Sequence, residues 1–140
     1  MGLQDIDNHT DVQLRAIYDL KNIAVVGMSA TEGKPANYVP KYLIKNGYNV
    51  VPVNPNYDTI LGLKSYPTVS SIPFHIDIVD VFRKSDDVLP VAKDAILKKG
   101  LKVFWMQLGI INKEAKEIME QNGVVVIFNR CMLEEHSRLF

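Results

Sequence analysis

KNIAVVGMSATEGKP, residues 21–35, carries the decision about the fold. Four apolar residues, Ile23 to Val26, run straight into Gly27. A short polar segment and Pro35 follow, and then an apolar pattern with helical spacing. The stretch reads as a buried strand, a tight turn and a helix start, which aims backbone N–H groups and a helix dipole at an anion. Gly27 suits a positive φ or a close approach to the backbone, Ser29 adds a hydroxyl and Lys34 a positive charge. The first expectation is a phosphate-bearing ligand over the end of this strand, against the plainer reading of a glycine that only tightens the turn.

The turn departs from two familiar patterns. A dinucleotide fingerprint needs G-x-G-x-x-G and an acid about 20 residues further on for the ribose. Here Ser29 takes the second glycine position, the third is missing, and the second strand ends in Asn54-Pro55 without a carboxylate. An ordinary NAD site is disfavoured. The pattern G-x-x-x-x-G-K-[ST] fails as well, because Gly27 and Gly33 are too far apart and Pro35 stands where a hydroxyl belongs.

Working outward, apolar runs open near Ile23, Tyr48, Ile76, Leu101 and Val124, at spacings of 25, 28, 25 and 23 residues. Each interval is about one βα unit. Asn49–Val53 and Val124–Phe128 are almost continuously apolar, as parallel strands covered on both faces must be. Helices are expected over Asn37–Asn46, Val88–Lys99 and Glu114–Asn122, stopped by Gly47, Gly100 and Gly123. Ser85 or Asp86, and Asn112, are candidate N-caps, with Pro40 and Pro90 near helix starts. A further helix begins at Asp11, capped by Thr10, and packs on the flank of the sheet; residues 1–9 read as frayed. Right-handed crossovers turn these units into an α/β, doubly wound, parallel five-stranded sheet in a single domain spanning 1–140. Asn54–Ile72 is the one long connection, and connections of that length are often functional.

Composition narrows the function classes. Sixteen basic residues balance sixteen acidic ones, so no overall field draws in nucleic acid or a membrane surface. The apolar runs fall far short of the ~20 residues of a membrane span, and the polar N-terminus is unlike a signal peptide. One cysteine, Cys131, excludes an internal disulfide framework and fits a reducing, cytoplasmic setting. His9 and His75 have no ligand-spaced partners, so no metal site is expected.

Ligands of open parallel sheets bind beyond the carboxyl ends of the strands. Those ends read Gly27-Met28-Ser29, Asn54-Pro55, Phe82-Arg83, Gln107-Leu108-Gly109-Ile110 and Asn129-Arg130. Two arginines and a serine on one rim favour an anion, and the planar guanidinium suits phosphate. The segments IAVVGMSA, VVPVNPNY, DIVDVFRKSDDV, VFWMQLGI and NRCMLEEHSRL together resemble the small stand-alone CoA-binding proteins. These are similar to the CoA-binding domain of the succinyl-CoA synthetase α subunit, and the resemblance runs from about residue 12 to the C-terminus.

The resemblance implies a Rossmann-like fold and coenzyme A, or a small acyl-CoA, as ligand. It implies that Gly27, Met28, Ser29 and Ala30 hug the phosphates, with Lys34 or Lys41 as cationic help. Val53, Asn54 and Pro55 would line the adenosine side, Phe82 and Arg83 the crossing of the third strand end, and Gln107, Gly109 and Ile110 the opposite wall. The synthetase's second domain, with its phosphorylated histidine, has no counterpart here, so binding without catalysis is expected.

The alternative is an enzyme that acts on a CoA thioester or uses a nicotinamide cofactor, resting on Cys131 and an Asp77/Asp80 pair. A regulatory module whose CoA occupancy alters contact with another protein is a third reading, and the apolar helix faces near the termini suit pairing with a second copy of the chain. Cys131 itself stands between a nucleophile or mixed-disulfide former and a small, part-buried residue at the start of the last helix.

Overall fold

Continuous apolar runs become strands buried on both faces, and the structure, a computed structural model describing residues 6–140, forms this layering. Along the chain, α1 (Asp11–Ile17) precedes β1 (Asn22–Val26), α2 (Pro35–Lys45), β2 (Asn49–Val53) and a small hairpin of β3 (Thr59–Ile60) and β4 (Leu63–Lys64). Then come β5 (Ile78–Val81), α3 (Val88–Ala95), β6 (Val103–Met106), α4 (Lys113–Gln121), β7 (Val125–Ile127) and α5 (Met132–Leu139). The large sheet is parallel throughout, in the order β2-β1-β5-β6-β7. Its topological switch point lies between β1 and β5, the place where doubly wound sheets bind ligands.

Alternation along each strand divides the core into two layers. Ala24, Val26, Val51, Val79, Phe104 and Val126 pack under α3 and α4. Ile23, Val25, Val50, Ile78, Trp105 and Ile127 pack under α1, α2 and α5, against Leu14, Tyr18, Val39, Leu43 and Met132. Asp80, two residues after Ile78, shares this second face and is fully buried.

Several expectations about local structure need correction. Residues 6–9 are not frayed: Asp7 is buried, and its Oδ2 accepts the Phe128 N–H at 3.1 Å along the outer edge of β7. The rest of that N-terminal expectation, residues 1–5, lies outside the described residues. α2 starts at Pro35, not Asn37, because proline at the first helical position needs no N–H partner, which leaves Pro40 well inside the helix. Neither Ser85 nor Asp86 caps α3. Ser85–Asp87 forms a 3-10 turn, and the Ser85 hydroxyl accepts the Ile111 N–H at 3.1 Å instead. α3 ends at Ala95 rather than Lys99. Thr10 and Asn112 do cap their helices, Thr10 within a reciprocal capping box with Gln13.

The long connection is less irregular than its composition suggests. Leu61 and Gly62, both at positive φ, close the β3–β4 hairpin. The chain then runs beside β2, where the Tyr66 N–H donates to the Pro52 carbonyl at 3.0 Å and the Asn54 N–H to the Tyr66 carbonyl at 2.9 Å. The connection thereby covers an edge strand that carries a proline.

Candidate functional site

The turn after β1 is built mostly by backbone needs. Gly27 has φ +81°, and a Cβ there would stand 2.2 Å from the Phe82 carbonyl oxygen. The glycine is therefore required by the close approach of β1 and β5 at the switch point. Two asparagines pin the following loop: Asn54 Nδ2 donates to the Met28 carbonyl at 3.0 Å, and Asn37 Nδ2 to the Ser29 carbonyl at 2.9 Å. The Ser29 hydroxyl accepts the Thr31 N–H at 3.0 Å. Lys34, at the N-cap position before α2, makes no side-chain cap, unlike the N-cap residues of α1 and α4. Pro35 has no N–H and the Asn37 N–H donates to the Lys34 carbonyl at 2.9 Å, so what this uncapped terminus offers an anion is chiefly the positive end of the dipole.

Two cavities open on either side of this switch point. The larger, about 500 Å³, is walled by Lys34, Tyr38, Phe82, Gln107, Ile110 and Cys131. The smaller, about 190 Å³, lies among Val53, Pro55, Thr68, Val91 and Asp94. Arg83 lines both. It is half-buried and makes no hydrogen bond or ion pair among the described residues. Hollows of about 450 and 370 Å³ also flank β7 beside the N-terminal segment, but the Lys116 of the first is paired with Glu120 at 3.0 Å.

The second rim arginine does something else. Arg130 Nε donates to Asp7 Oδ1 at 3.1 Å, Nη1 to Glu135 Oε1 at 2.8 Å, and Nη2 to the carbonyls of Asp7 and His9 at 3.0 and 3.2 Å. Its fork is consumed in holding residues 7–9 against the end of β7. The expectation of two arginines offered to one anion is corrected to one.

The structure sorts the other expected residues. Lys34, Phe82, Gln107 and Ile110 reach the larger cavity, and Val53 and Pro55 the smaller. Gly27, Ser29 and Ala30 form the turn beside them, while the Met28 side chain is buried in the core, so only its backbone faces the turn. Asn54 is buried and occupied with Met28. Gly109 lines neither cavity, and its N–H donates to Asn129 Oδ1 at 2.7 Å. Lys41 pairs with Glu32 at 3.7 Å. The turn from Thr68 to Ser71 was not singled out in the sequence. It is held by Asp94, whose Oδ2 accepts the Val69 N–H at 2.9 Å, a pairing 25 residues apart that no local pattern announces.

Asp77 and Asp80 do not form a pair. Asp77 sits at the amino end of β5, where it accepts the Asn22 N–H at 3.1 Å and bonds His75 Nε2 at 2.7 Å. Asp80 accepts Gln107 Nε2 at 2.6 Å through Oδ1, while its buried Oδ2 has no partner among the described residues. Burial pushes the Asp80 carboxyl up to about 7, against the opposing pull of the Gln107 bond. Cys131, the residue before α5, is half-buried. Burial pushes its thiol up, the Glu134 and Leu133 N–H groups pull it down, and the charges of Glu134 and Asp80 push it up again. His136 points away from this cavity and bonds the Tyr42 hydroxyl at 2.7 Å through Nδ1.

Related proteins agree with this architecture. A hypothetical protein from Pyrococcus horikoshii OT3 superposes with a TM-score of 0.92 at 42% identity, covering 99% of this chain and 98% of that one. The uncharacterized protein YneT of Bacillus subtilis (strain 168) is 38% identical over 117 residues, 84% of this chain and 86% of YneT. The ADP-forming acetate–CoA ligase II of Archaeoglobus fulgidus is 35% identical over 97 residues, which are 68% of this chain and only 14% of the ligase. No described helix is long and apolar enough to cross a membrane. The sequence model of the CoA binding domain matches residues 21–137, and the chain belongs to that family.

Proposed function

We propose that the protein binds coenzyme A, or a small acyl-CoA, across the carboxyl ends of β1, β5 and β6, and that binding rather than turnover is the work of this site. The observation that carries the proposal is Arg83, a half-buried guanidinium with no partner among the described residues, placed between two cavities at the switch point. Phosphates at this junction meet Arg83, the loop of Gly27 to Ala30, the uncapped start of α2 and the Lys34 ammonium. Adenosine then occupies the smaller cavity beside Val53 and Pro55. The pantetheine arm follows the larger one past Phe82, Gln107 and Ile110.

The groups present fit this ligand better than a nicotinamide dinucleotide. Asn54 stands where a ribose-binding acid belongs, and its side chain is committed to the Met28 carbonyl and the Asn56 N–H. Calorimetric titration with CoA, 3′-dephospho-CoA and NAD tests the proposal. CoA should bind, and Arg83→Ala should weaken it about tenfold to a hundredfold, as loss of a charged hydrogen bond does. Binding of NAD but not CoA, or CoA binding indifferent to Arg83, overturns it.

A further inference from the structure

Gln107 follows β6 and lines the larger cavity, yet it is only 3% exposed. Both of its backbone groups are used: the N–H donates to the Val81 carbonyl at 3.4 Å, and the carbonyl accepts the Ile110 N–H at 2.9 Å. Its side chain is half used. Nε2 donates to Asp80 Oδ1 at 2.6 Å, whereas Oε1 has no partner among the described residues. Unlike Asp80 Oδ2, this oxygen is not sealed away from solvent. The cavity is the opening that the side chain lines, so the free acceptor faces it.

The sense of the amide is set from behind. A carboxylate accepts and cannot donate, so an ionised Asp80 holds Gln107 with its NH2 group inward and its oxygen outward. Asp80 is itself fixed, fully buried within β5 between β1 and β6. It lies opposite Trp105, and Gln107, two residues further on, shares that face. Phe82 and Ile110 make the same wall apolar, while Lys34, Arg83, Lys84 and Glu134 supply the charges of the cavity. A fixed polar group in an apolar wall orients a ligand, and this one asks for an uncharged N–H donor. Amide N–H groups are what the pantetheine arm carries.

We infer that Gln107 reads the pantetheine arm, accepting an amide N–H of the ligand at Oε1, and that Asp80 is the positioning residue that keeps this oxygen turned to the cavity. The inference rests on the CoA reading above and deepens it, giving the arm its own recognition element apart from the phosphates. An arm in which that N–H is replaced by oxygen sets two acceptors against each other and leaves Oε1 unpaired. A proton on Asp80 lifts the constraint, because a protonated carboxyl donates and lets the Gln107 amide turn round. Burial raises this carboxyl to about 7. The ionisable groups that interact with Asp80 are Tyr18, after α1, and Cys131, before α5; burial pushes both up, which keeps both neutral near pH 7.

Calorimetric titration of the whole chain tests the inference. The probes are CoA, adenosine 3′,5′-bisphosphate, which lacks the arm, and two CoA analogues with one arm amide at a time replaced by an ester. At pH 8 one of the esters should bind about three- to tenfold more weakly than CoA. Gln107→Met should weaken CoA by a similar factor and leave the bisphosphate unchanged. It should bind that ester as well as it binds CoA, so that the two losses do not add. Methionine leaves Asp80 without its partner, so the same substitution in an Asp80→Asn background repeats the comparison without a stranded carboxylate. The ratio of CoA affinities between the natural protein and Gln107→Met cancels the ligand's own titration. It should rise from pH 6 to 8, whereas the same ratio in the Asp80→Asn background should stay level. CoA binding with both esters equal to it, or a Gln107→Met loss shared by the bisphosphate, overturns the inference and leaves the CoA reading standing. A ratio level with pH in the natural background removes Asp80 from the positioning role. With no binding of CoA at all, the inference falls together with the reading beneath it.

Discussion

Arg83 and Arg130 each follow an apolar strand by a residue or two, on the same rim of the same sheet, yet the fold uses them in opposite ways. At the end of β7, Arg130 spends its guanidinium on Asp7, Glu135 and two carbonyls, and the Asp7 carboxylate in turn holds two backbone N–H groups. At the end of β5, Arg83 has no partner among the described residues, and the nearby Asp80 has one where it could have several. One region closes its electrostatics internally; the other leaves capacity for something from outside. A rim arginine therefore indicates a ligand only where no internal acid reaches it, and of the two acids that reach Arg130, Asp7 comes from 123 residues earlier in the chain and Glu135 from five residues later.

The contrast is broken most decisively by Arg130→Ala. Removing this side chain takes the guanidinium from the buried Asp7 carboxylate and leaves it the His9 and Phe128 N–H groups and the His9 ring, a loss of about 3 kcal/mol. Thermal unfolding should shift down by roughly 10 °C or more, while CoA affinity, measured on the folded protein at low temperature, stays as it was. Arg83→Ala should do the reverse, with stability unchanged within about 0.5 kcal/mol. An Arg130→Ala protein that melts normally but no longer binds CoA would mean that the two roles are assigned the wrong way round.

Asp80→Asn sharpens the same contrast at its buried end. The Asp80 carboxyl is raised to about 7 in the fold, chiefly by burial, against an unfolded value near 3.8. Between about pH 4 and 7 the folded state holds a proton that the unfolded state has lost, so native stability falls as pH rises, by at most about 1.4 kcal/mol per unit from this group. Above the folded pKa both states are ionised and the penalty is constant. The asparagine variant removes the titration but keeps an oxygen for Gln107. Relative to the variant, the natural protein should lose stability, by a few kcal/mol in all, between pH 4 and 7. Melting curves that run parallel over this range would show that Asp80 carries no such burden.

Gly27→Ala asks whether the turn serves the strands or the ligand. Its methyl group would meet the Phe82 carbonyl at 2.2 Å, at a φ that L-residues avoid. The expected loss is about 2–4 kcal/mol of stability, from backbone strain and overpacking together. A stable variant with impaired CoA binding would return Gly27 to a ligand-approach role.

How much of this was legible beforehand follows from the range of each signal. The five runs and their spacing gave the doubly wound sheet, because burial on both faces writes itself into consecutive residues. Thr10 and Asn112 were legible as caps because capping is local. The hairpin at Leu61-Gly62 was hidden, since leucine at positive φ is not a turn signal. At the site, Arg83 and Gln107 stood out as polar residues after apolar runs, whereas the Asp94 clamp on Thr68–Ser71 and the Asp7–Arg130 pair are long-range. Serine at 85 looked like a cap and was captured by Ile111 instead, a partner on another loop.

The smallest expected effect, Lys34→Ala, separates the two kinds of positive charge at the ligand end. Lys34 is exposed and stands before the first turn of α2, where an ammonium faces the positive end of the helix dipole. The charge is therefore slightly unfavourable for the helix, and alanine should leave stability unchanged or raise it by a few tenths of a kcal/mol. CoA affinity should nevertheless fall, by about two- to fivefold at low ionic strength, and the difference should vanish in high salt because the group is solvent-screened. Arg83, half-buried between the cavities, should keep most of its contribution in the same salt. Stability and affinity that move in opposite directions would mark Lys34 as retained for an anion. A loss of both together would mean that it supports the fold, and the phosphate site would then rest on Arg83 and the backbone of the turn.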